Sequence, residues 1–402
     1  MTMEQDLNQT PRGNRIHIGF FGRRNAGKSS LVNAVTGQNI AIVSDIRGTT
    51  TDPVEKAMEL LPMGPVVVID TPGLDDVGEL GEMRIARTRR TLEHTDLAVL
   101  VVDGTVGMTP EDTTLLEQLK ARHIPYLIAW NKSDTAVLPK ILPPDTVLVS
   151  AVTGEGIPAL KEQLAARYQR QAVLRETRSI FGNWLSPEDI VVLVTPIDES
   201  APKGRMILPQ VQTIREILDK TAICLVTQPE QLAFCLKMLR HPPKLVVTDS
   251  QAFGQVKEVV PDSIPLTSFS IIFAHYKGVL KPAMQAAKTL ETLPENSRIL
   301  ISEGCTHHRQ CNDIGTVKLP KWIQAHTGKT FQFDFTSGNT FPEDLSAYQL
   351  VVHCGGCMLN QREMESRAAR ATAQGMPYTN YGTLIAYLNG ILERSLTVLE
   401  QL

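Results

Sequence analysis

Two sets of residues in this 402-residue chain have the types and spacing to do chemistry. The first is Gly22-Arg23-Arg24-Asn25-Ala26-Gly27-Lys28-Ser29, which fits G-x-x-x-x-G-K-S/T in full. It follows the apolar run Ile16–Phe21 and opens a helical pattern, the context in which such a loop holds phosphate. Glycines let backbone N–H groups wrap phosphate oxygens, and the helix N-terminus adds a favourable dipole. Lys28 then falls on the β/γ-phosphates and Ser29, with Ser30 beside it, on the Mg²⁺ side. The second set lies far downstream: Cys305-Thr306-His307-His308-Arg309-Gln310-Cys311 and His353-Cys354-Gly355-Gly356-Cys357. Each follows a strand-like run, and strand carboxyl ends in a parallel sheet converge on one edge.

Three further segments narrow the phosphate loop to a guanine-nucleotide site. Asp70-Thr71-Pro72-Gly73 follows the apolar run Val66–Ile69. Asp70 suits the Mg²⁺ shell and the Gly73 amide suits sensing of the γ-phosphate. Asn131-Lys132-Ser133-Asp134 follows Tyr126–Trp130. A carboxylate at Asp134 accepts from guanine N1–H and the N2 amino group, a donor pair that adenine lacks. Ser150-Ala151, after Val147–Val149, can offer a backbone N–H to guanine O6.

These segments resemble the GTPases of the Era and tRNA-modifying MnmE type, whose switch I reads G-T-T-x-D; here it is Gly48-Thr49-Thr50-Thr51-Asp52. The resemblance implies that Thr50 reaches Mg²⁺ when GTP is bound. It also implies that Asn25 helps hold a K⁺ beside the phosphates, supplying charge that an arginine finger supplies elsewhere. Leu74 stands where other GTPases place a water-orienting Gln, so slow hydrolysis is expected, with Lys28, Thr50 and Asn25 carrying the catalysis.

In the second set, Cys354 and Cys357 form a C-x-x-C loop with glycines for its tight turn, and Cys305 adds a third thiolate. Three thiolates and an open fourth position suit a 4Fe–4S cluster with one exchangeable iron. A structural Zn²⁺ held by Cys305, Cys354, Cys357 and either His307 or His353 is the rival reading. A thioredoxin-like redox pair is a third. Cys224 and Cys235 sit in apolar patterns and read as core thiols.

The elements that must position these residues alternate strand and helix throughout, which predicts α/β architecture with mostly parallel sheets. A P-loop domain is expected over residues 1–172, followed by two smaller α/β domains over 173–265 and 266–402. In the middle domain, strand-like runs Ile190–Thr195, Ala222–Thr227 and Leu245–Thr248 enclose helical Gln210–Lys220 and Gln231–Leu239. In the last, helices are expected over 270–292, 361–374 and 381–399, with strands at Arg298–Ser302 and Tyr348–His353.

Composition sets outer limits. Hydrophobic residues make up 42% and charged residues 21%, so global disorder is excluded. The net charge of -3 and the lack of a basic, aromatic-rich stretch argue against nucleic acid as partner. No run of about 18 apolar residues is present, the leading residues are polar, and the six cysteines are unevenly placed. A cytoplasmic protein without membrane attachment is expected.

A phosphate-loop head followed by C-x-H, 45 residues, then H-C-x-x-C resembles the HydF family of maturation GTPases for iron-only (FeFe) hydrogenases. The resemblance covers the whole chain and includes Asp313-Ile314-Gly315 after the first cluster. It implies a dimerising middle domain and a C-terminal domain whose 4Fe–4S cluster is held by Cys305, Cys354 and Cys357. It further implies a scaffold that assembles and carries the di-iron precursor of the hydrogenase site. Partners would be two radical-SAM maturases, the immature hydrogenase and a second copy of the chain. The fourth ligand stays open among His307, His353, Cys311, Asp313 and solvent. Some members carry a carboxylate seven residues after the first cysteine, where this chain has Asn312. The alternative function is a K⁺-stimulated GTPase of tRNA modification or ribosome assembly, with zinc as a structural staple.

Overall fold

The computed structural model describes residues 13, 15–38, 54–71, 88, 90–137, 139–175, 179–197, 206–304, 313–338, 340–356, 358–397 and 399. Among the residues singled out above, Gly48–Asp52, Pro72, Gly73, Leu74, Cys305, Thr306, His307, His308, Arg309, Gln310, Cys311, Asn312 and Cys357 lie outside them. The architecture is α/β, as the alternation predicts, in two compact units, Asn8–Thr177 and Arg178–Leu402.

The first unit carries strands β1 (Ile16–Phe21), β2 (Val54–Leu60), β3 (Gly64–Asp70), β4 (Leu97–Asp103), β5 (Tyr126–Asn131) and β6 (Thr146–Leu148). They form one sheet in the order β2-β3-β1-β4-β5-β6, parallel except for β2 against β3. Helices α1 (Lys28–Thr36), α2 (Pro110–Ala121) and α3 (Ile157–Arg175) connect them. β1 and β4 are buried along their full length, because both faces are covered. Ile16, Ile18 and Phe20 pack with Leu31, Val32 and Leu160 on one face; Phe21, Leu100 and Val102 pack with Leu115 and Leu119 on the other. α2 starts at a capping box between Thr109 and Asp112, with Pro110 in its first turn. β2 has no clear signal in the sequence. Its residues, VEKAMEL, make a mostly half-exposed edge strand whose pairing comes from β3.

The second unit holds two all-parallel sheets. β7 (Ile190–Val194), β8 (Ile223–Thr227), β9 (Leu245–Thr248) and β10 (Leu266–Ser268) run in the order β10-β9-β7-β8. β11 (Arg298–Glu303), β12 (Gln332–Ser337), β13 (Leu350–His353) and β14 (Tyr378–Asn380) run in the order β12-β11-β13-β14. Helices α4 (Leu208–Asp219), α5 (Leu232–Met238) and α6 (Phe253–Val259) belong with the first sheet. Helices α7 (Phe269–Tyr276), α8 (Leu280–Lys288), α9 (Leu319–Thr327), α10 (Gln361–Ala373), α11 (Tyr381–Leu388) and α12 (Leu392–Leu396) follow. One apolar core joins both sheets: Val191, Leu193 and Leu245 share it with Ile299, Ile301, Leu350 and Val352, with α7, α8 and α11 contributing too. Polar stitches add to it. Arg394 donates to the carbonyls of Val260, Pro261 and Ile264, and Lys257 donates to the Asn389 carbonyl.

Two helices expected as single rods are each broken at a glycine. The run expected over 270–292 stops at Gly278, where φ is 73°, and restarts as α8. The Gly278 and Val279 amides donate back to the carbonyls of His275 and Ala274. The run expected over 381–399 stops at Gly390, where φ is 70°, with the same two bonds from Gly390 and Ile391 to Tyr387 and Ala386. Both are left-handed C-terminal caps that only glycine adopts without strain. Among the described residues, no helix is long and apolar enough to cross a membrane.

The shared core has a measurable consequence. Ile301 is fully buried in it. Ile301→Ala is expected to destabilise the second unit by about 2–5 kcal/mol. Amide hydrogen exchange should quicken in β7 and β9 as well as in β11 and β13. Faster exchange confined to β11–β14 would show that the two sheets unfold independently.

Candidate functional site

The nucleotide-site residues gather at the carboxyl ends of β1, β3, β4, β5 and β6. Gly22, Asn25 and Gly27 all take positive φ, at 145°, 58° and 87°. The loop therefore curls tightly before α1, and Asn is among the few residues with side chains that tolerate this. Ala26 is buried, Asn25 is exposed, and Ser30 is half-buried in the first turn of α1. Lys28 is buried, and its Nζ donates to the carbonyls of Gly22 at 2.9 Å and Arg23 at 2.6 Å. The ammonium is thus held over the loop by the loop's own acceptors.

Ser29 Oγ donates to Asp70 Oδ2 at 2.7 Å. Asp70 Oδ1 is buried and has no hydrogen-bond partner among the described residues. Burial raises the Asp70 pKa, opposed by the Ser29 bond and the Lys28 charge. A buried carboxylate oxygen without a donor, beside a serine hydroxyl and a lysine, fits a divalent cation.

Asn131 joins the base side to the phosphate side. Its Nδ2 donates to Ala26 O at 2.9 Å, and its Oδ1 accepts from the Ala151 amide at 3.1 Å. A Cβ at position 27 would collide with Asn131 Nδ2, so Gly27 is needed for this approach as well as for the loop's turn. Lys132 takes φ 61° and pairs with Asp103 at 2.6 Å. Burial works against the Asp103 charge, but bonds from Lys132 and Thr105 outweigh it and lower its pKa. Asp134 is exposed in the turn that follows, and Ser150 is fully buried, its Oγ accepting from the Thr153 amide. The structure thus brings Gly22–Ser30, Asp70, Asn131–Asp134 and Ser150–Ala151 to one edge of one sheet.

The second site lies where β11 and β13 end side by side, Ser302 in register with His353. Cys354 donates its amide to Ser302 O at 2.9 Å, and its Sγ accepts from the amides of Gly304 at 3.0 Å and Gly356 at 3.3 Å. Two N–H donors favour the thiolate, the form that binds a metal. Gly356 has φ 63°, and a Cβ there would collide with Met364 Sδ. Among the described residues, no three His, Cys, Asp or Glu side chains are arranged to hold a metal ion.

His353, adjacent to Cys354, points to the other side of the sheet. Its ring is fully buried and packs near Phe341 and Tyr378. Nδ1 bonds Cys354 O at 2.8 Å, and Nε2 faces Arg367 Nη1 at 3.0 Å. Burial, then the Arg367 charge, pushes its pKa down to about 3, so the ring is neutral with Nε2 as acceptor. Arg367, also buried, donates to Gly338 O at 2.7 Å and Glu363 Oε1 at 2.5 Å. Asp313 caps the helical turn before α9, its Oδ2 accepting from the amide and hydroxyl of Thr316 at 2.8 Å each.

Sequence reasoning missed three residues here: Glu303, Tyr381 and Arg367. Glu303 ends β11, is 5% exposed, and its Oε1 accepts from Tyr381 Oη at 3.2 Å. The Tyr381 pKa is raised by burial first, then by the charges of Glu303 and Cys354. An acidic residue closing an otherwise apolar strand is the signal available in the sequence. The free thiols Cys224 and Cys235 have pKa values raised by burial, Cys224 to about 11, which keeps them unreactive.

Comparison with known proteins adds family likeness. Residues 17–132 match the 50S ribosome-binding GTPase model. Residues 180–278 match the hydrogen maturase F dimerization domain, and residues 281–398 match the hydrogen maturase F tetramerization domain. The chain is 39% identical over 171 residues to the tRNA modification GTPase MnmE of Nitrosomonas europaea, covering 40% of this chain and 38% of that protein. It is 40% identical over 157 residues to MnmE of a Synechococcus strain, covering 37% of this chain and 33% of that protein. The chain thus spans less than two fifths of these curated relatives' length, and the match lies in their GTPase part. Similar solved structures include a probable GTP-binding protein engB, at 25% identity and TM-score 0.32, covering 38% of this chain and 99% of that one. Era from Aquifex aeolicus is another, at 19% identity and TM-score 0.33, covering 52% and 91%.

The buried Arg367 network supplies a test of the second site's framework. Arg367→Met would leave the Glu363 carboxylate, His353 Nε2 and the Gly338 carbonyl without their shared donor. The expected cost is about 3–5 kcal/mol in chemical denaturation of the full chain. Amide exchange in β13 should quicken with it. A loss below about 1 kcal/mol would show that the surrounding groups find other partners.

Proposed function

The chain belongs to the hydrogen maturase F family, and from that membership we propose that it is a GTP-hydrolysing scaffold that assembles and delivers the di-iron precursor of the FeFe-hydrogenase active site, carrying a 4Fe–4S cluster. The single observation that carries the reading is the pairing of a guanine-nucleotide loop set with the Cys354 thiol cradled by two amides between β11 and β13.

In the GTPase domain, Lys28 exchanges the carbonyls of Gly22 and Arg23 for the β/γ-phosphates. Ser29 and Asp70 hold Mg²⁺, with Thr50 joining in the GTP state. Asn131, Lys132 and Asp134 hold the base with the Ser150-Ala151 turn, and Gly73 senses the γ-phosphate. Asn25, exposed on the loop, helps hold K⁺. Mg²⁺ and K⁺ supply positive charge against the charge that develops on the transferred group. Hydrolysis is slow, which suits a timing switch.

In the second unit, Cys305, Cys354 and Cys357 supply the cluster's thiolates. The amide bonds to Cys354 fit that role, since N–H donors to sulfur stabilise its negative charge and tune the potential. His353 is better suited to holding the Cys354 loop, through its bond to Cys354 O, than to binding iron, because both ring nitrogens are already engaged. His307 remains a candidate cluster neighbour.

The chain works as a homodimer through residues of about 173–265. β8 is an edge strand, and its own large apolar side chains stand exposed, Ile223 at 45% and Val226 at 48%. Exposed apolar surface beside an unpaired strand edge favours pairing with a second copy. Two radical-SAM maturases and the immature hydrogenase are the further partners, in the cytoplasm, with no nucleic acid or membrane required. The match of residues 180–398 to the two maturase models favours this over a tRNA-modification role.

Two measurements test the reading. The full chain should hydrolyse GTP and not ATP, faster in K⁺ than in Na⁺. Asn25→Ala should erase the cation preference with little change in nucleotide affinity; equal rates in both salts for the native chain would remove K⁺ from the site. Anaerobically purified protein should contain about four iron and four acid-labile sulfide per chain. Cys354→Ser should lose most of both. Zinc in place of iron and sulfide would favour a structural metal and overturn the scaffold proposal.

A further inference from the structure

The last residues of β4 and β5, Asp103 and Asn131, stand side by side in register. Lys132, the next residue after β5, reaches back across this pair, and its Nζ donates to Asp103 Oδ2 at 2.6 Å. The other carboxylate oxygen, Oδ1, accepts from the Thr105 amide at 2.9 Å and the Thr105 hydroxyl at 2.6 Å. The Gly104 amide donates to the Asn131 carbonyl at 2.8 Å, and a Cβ at Gly104 would collide with that carbonyl. Asp103 is thus fixed by its own loop and by the neighbouring strand end. It is buried, whereas the Lys132 side chain is 35% exposed. An ion pair open to water on one side adds little stability. What it does fix is where the lysine side chain lies.

Lys132 has φ 61°, a conformation that costs energy in any residue with a Cβ. Its carbonyl accepts from the Thr135 and Ala136 amides at 3.0 and 2.9 Å, which closes the turn that carries Asp134. The Ser133 amide donates to Val149 O at 3.1 Å and ties this turn to the end of β6. The lysine stem therefore runs from the Asp134 turn to the end of β4, anchored at both ends. A free lysine side chain samples many rotamers and loses them when a ligand packs against it. Asp103 removes that loss in advance, and the stem offers apolar surface while its charge is balanced.

We propose that Asp103 is a positioning residue for guanine-nucleotide binding: by holding Lys132 it presets the stem against which the base packs, and so slows nucleotide release. The proposal deepens the nucleotide reading above and rests on it. Asp103 acts through Lys132 and does not itself touch the nucleotide.

The test uses the full chain loaded with GDP that carries a methylanthraniloyl fluorophore on its ribose, chased with unlabelled GDP. Asp103→Asn keeps an acceptor for Thr105 but loses the charge that holds Lys132, and release should be about tenfold faster. The same variant should raise KM for GTP by a similar factor and lower kcat by much less, because Lys28, Ser29 and Asp70 keep their places. In a Lys132→Met background, which keeps an apolar stem without the ammonium, adding Asp103→Asn should change release by less than about twofold. Native release from Asp103→Asn overturns the proposal, as does a tenfold effect that persists undiminished beside Lys132→Met. A fall in kcat as large as the rise in KM also overturns it, since that marks general loosening. If Asp103→Asn fails to fold, Lys132→Met alone decides: it breaks the same pair from the other side, and release at the native rate refutes the idea. A native chain that holds neither GDP nor GTP would instead bring down the nucleotide reading itself.

Discussion

Parallel pairing is the constraint on which the rest of this structure depends. Among the described residues the sheets are parallel apart from strand β2, so strand carboxyl ends, and the loops that leave them, collect on one edge. In the first unit that edge receives the phosphate loop after β1, Asp70 at the end of β3, Asn131 at the end of β5 and the Ser150 turn after β6. In the second it receives Glu303 at the end of β11 and Cys354 just past β13. Residues more than a hundred positions apart, such as Ala26 and Asn131, meet because their strands end at the same level.

The two sites solve the problem of buried charge differently. At the nucleotide site, Asp70 keeps one oxygen without a hydrogen-bond donor among the described residues, and Lys28 is held by carbonyls that a phosphate can replace. Such a site is incomplete by construction and favours a charged ligand. Beneath the cysteine loop, Arg367 has three acceptors: His353, Gly338 and Glu363. A buried ion pair of this kind adds little net stability, but breaking it is costly, so it fixes one arrangement of α10 against β13. That arrangement sets the His353 ring, and through its bond to Cys354 O it braces the loop that carries the thiol.

Glycine marks the places where backbone must approach closely. Gly27 admits the Asn131 amide, Gly356 clears Met364, and Gly315 clears the Tyr381–Glu303 pair. The turns at Gly27 and Gly356 are legible in the chain, but the side chains these glycines admit are tertiary neighbours that it does not show.

Much was legible from residues alone. The fully buried strands β1, β4 and β9 announce themselves as continuous apolar runs, because both their faces are covered. The phosphate loop and the Asn131–Asp134 segment are equally plain, since phosphate and guanine impose fixed residue types at fixed spacing. Edge strands β2 and β12 were not legible: half-exposed positions carry mixed residues, and the strand state comes from the neighbour's free N–H and C=O groups. The sequence brought His353 and Cys354 forward as equal neighbours in one motif. Only the folded sheet put them on opposite faces, gave His353 to Arg367, and set the Gly304 amide against the thiol. The reason is geometric. Adjacent residues of a strand must diverge, whereas residues fifty positions apart on paired strands converge, and which ones do so depends on a register that only tertiary packing decides.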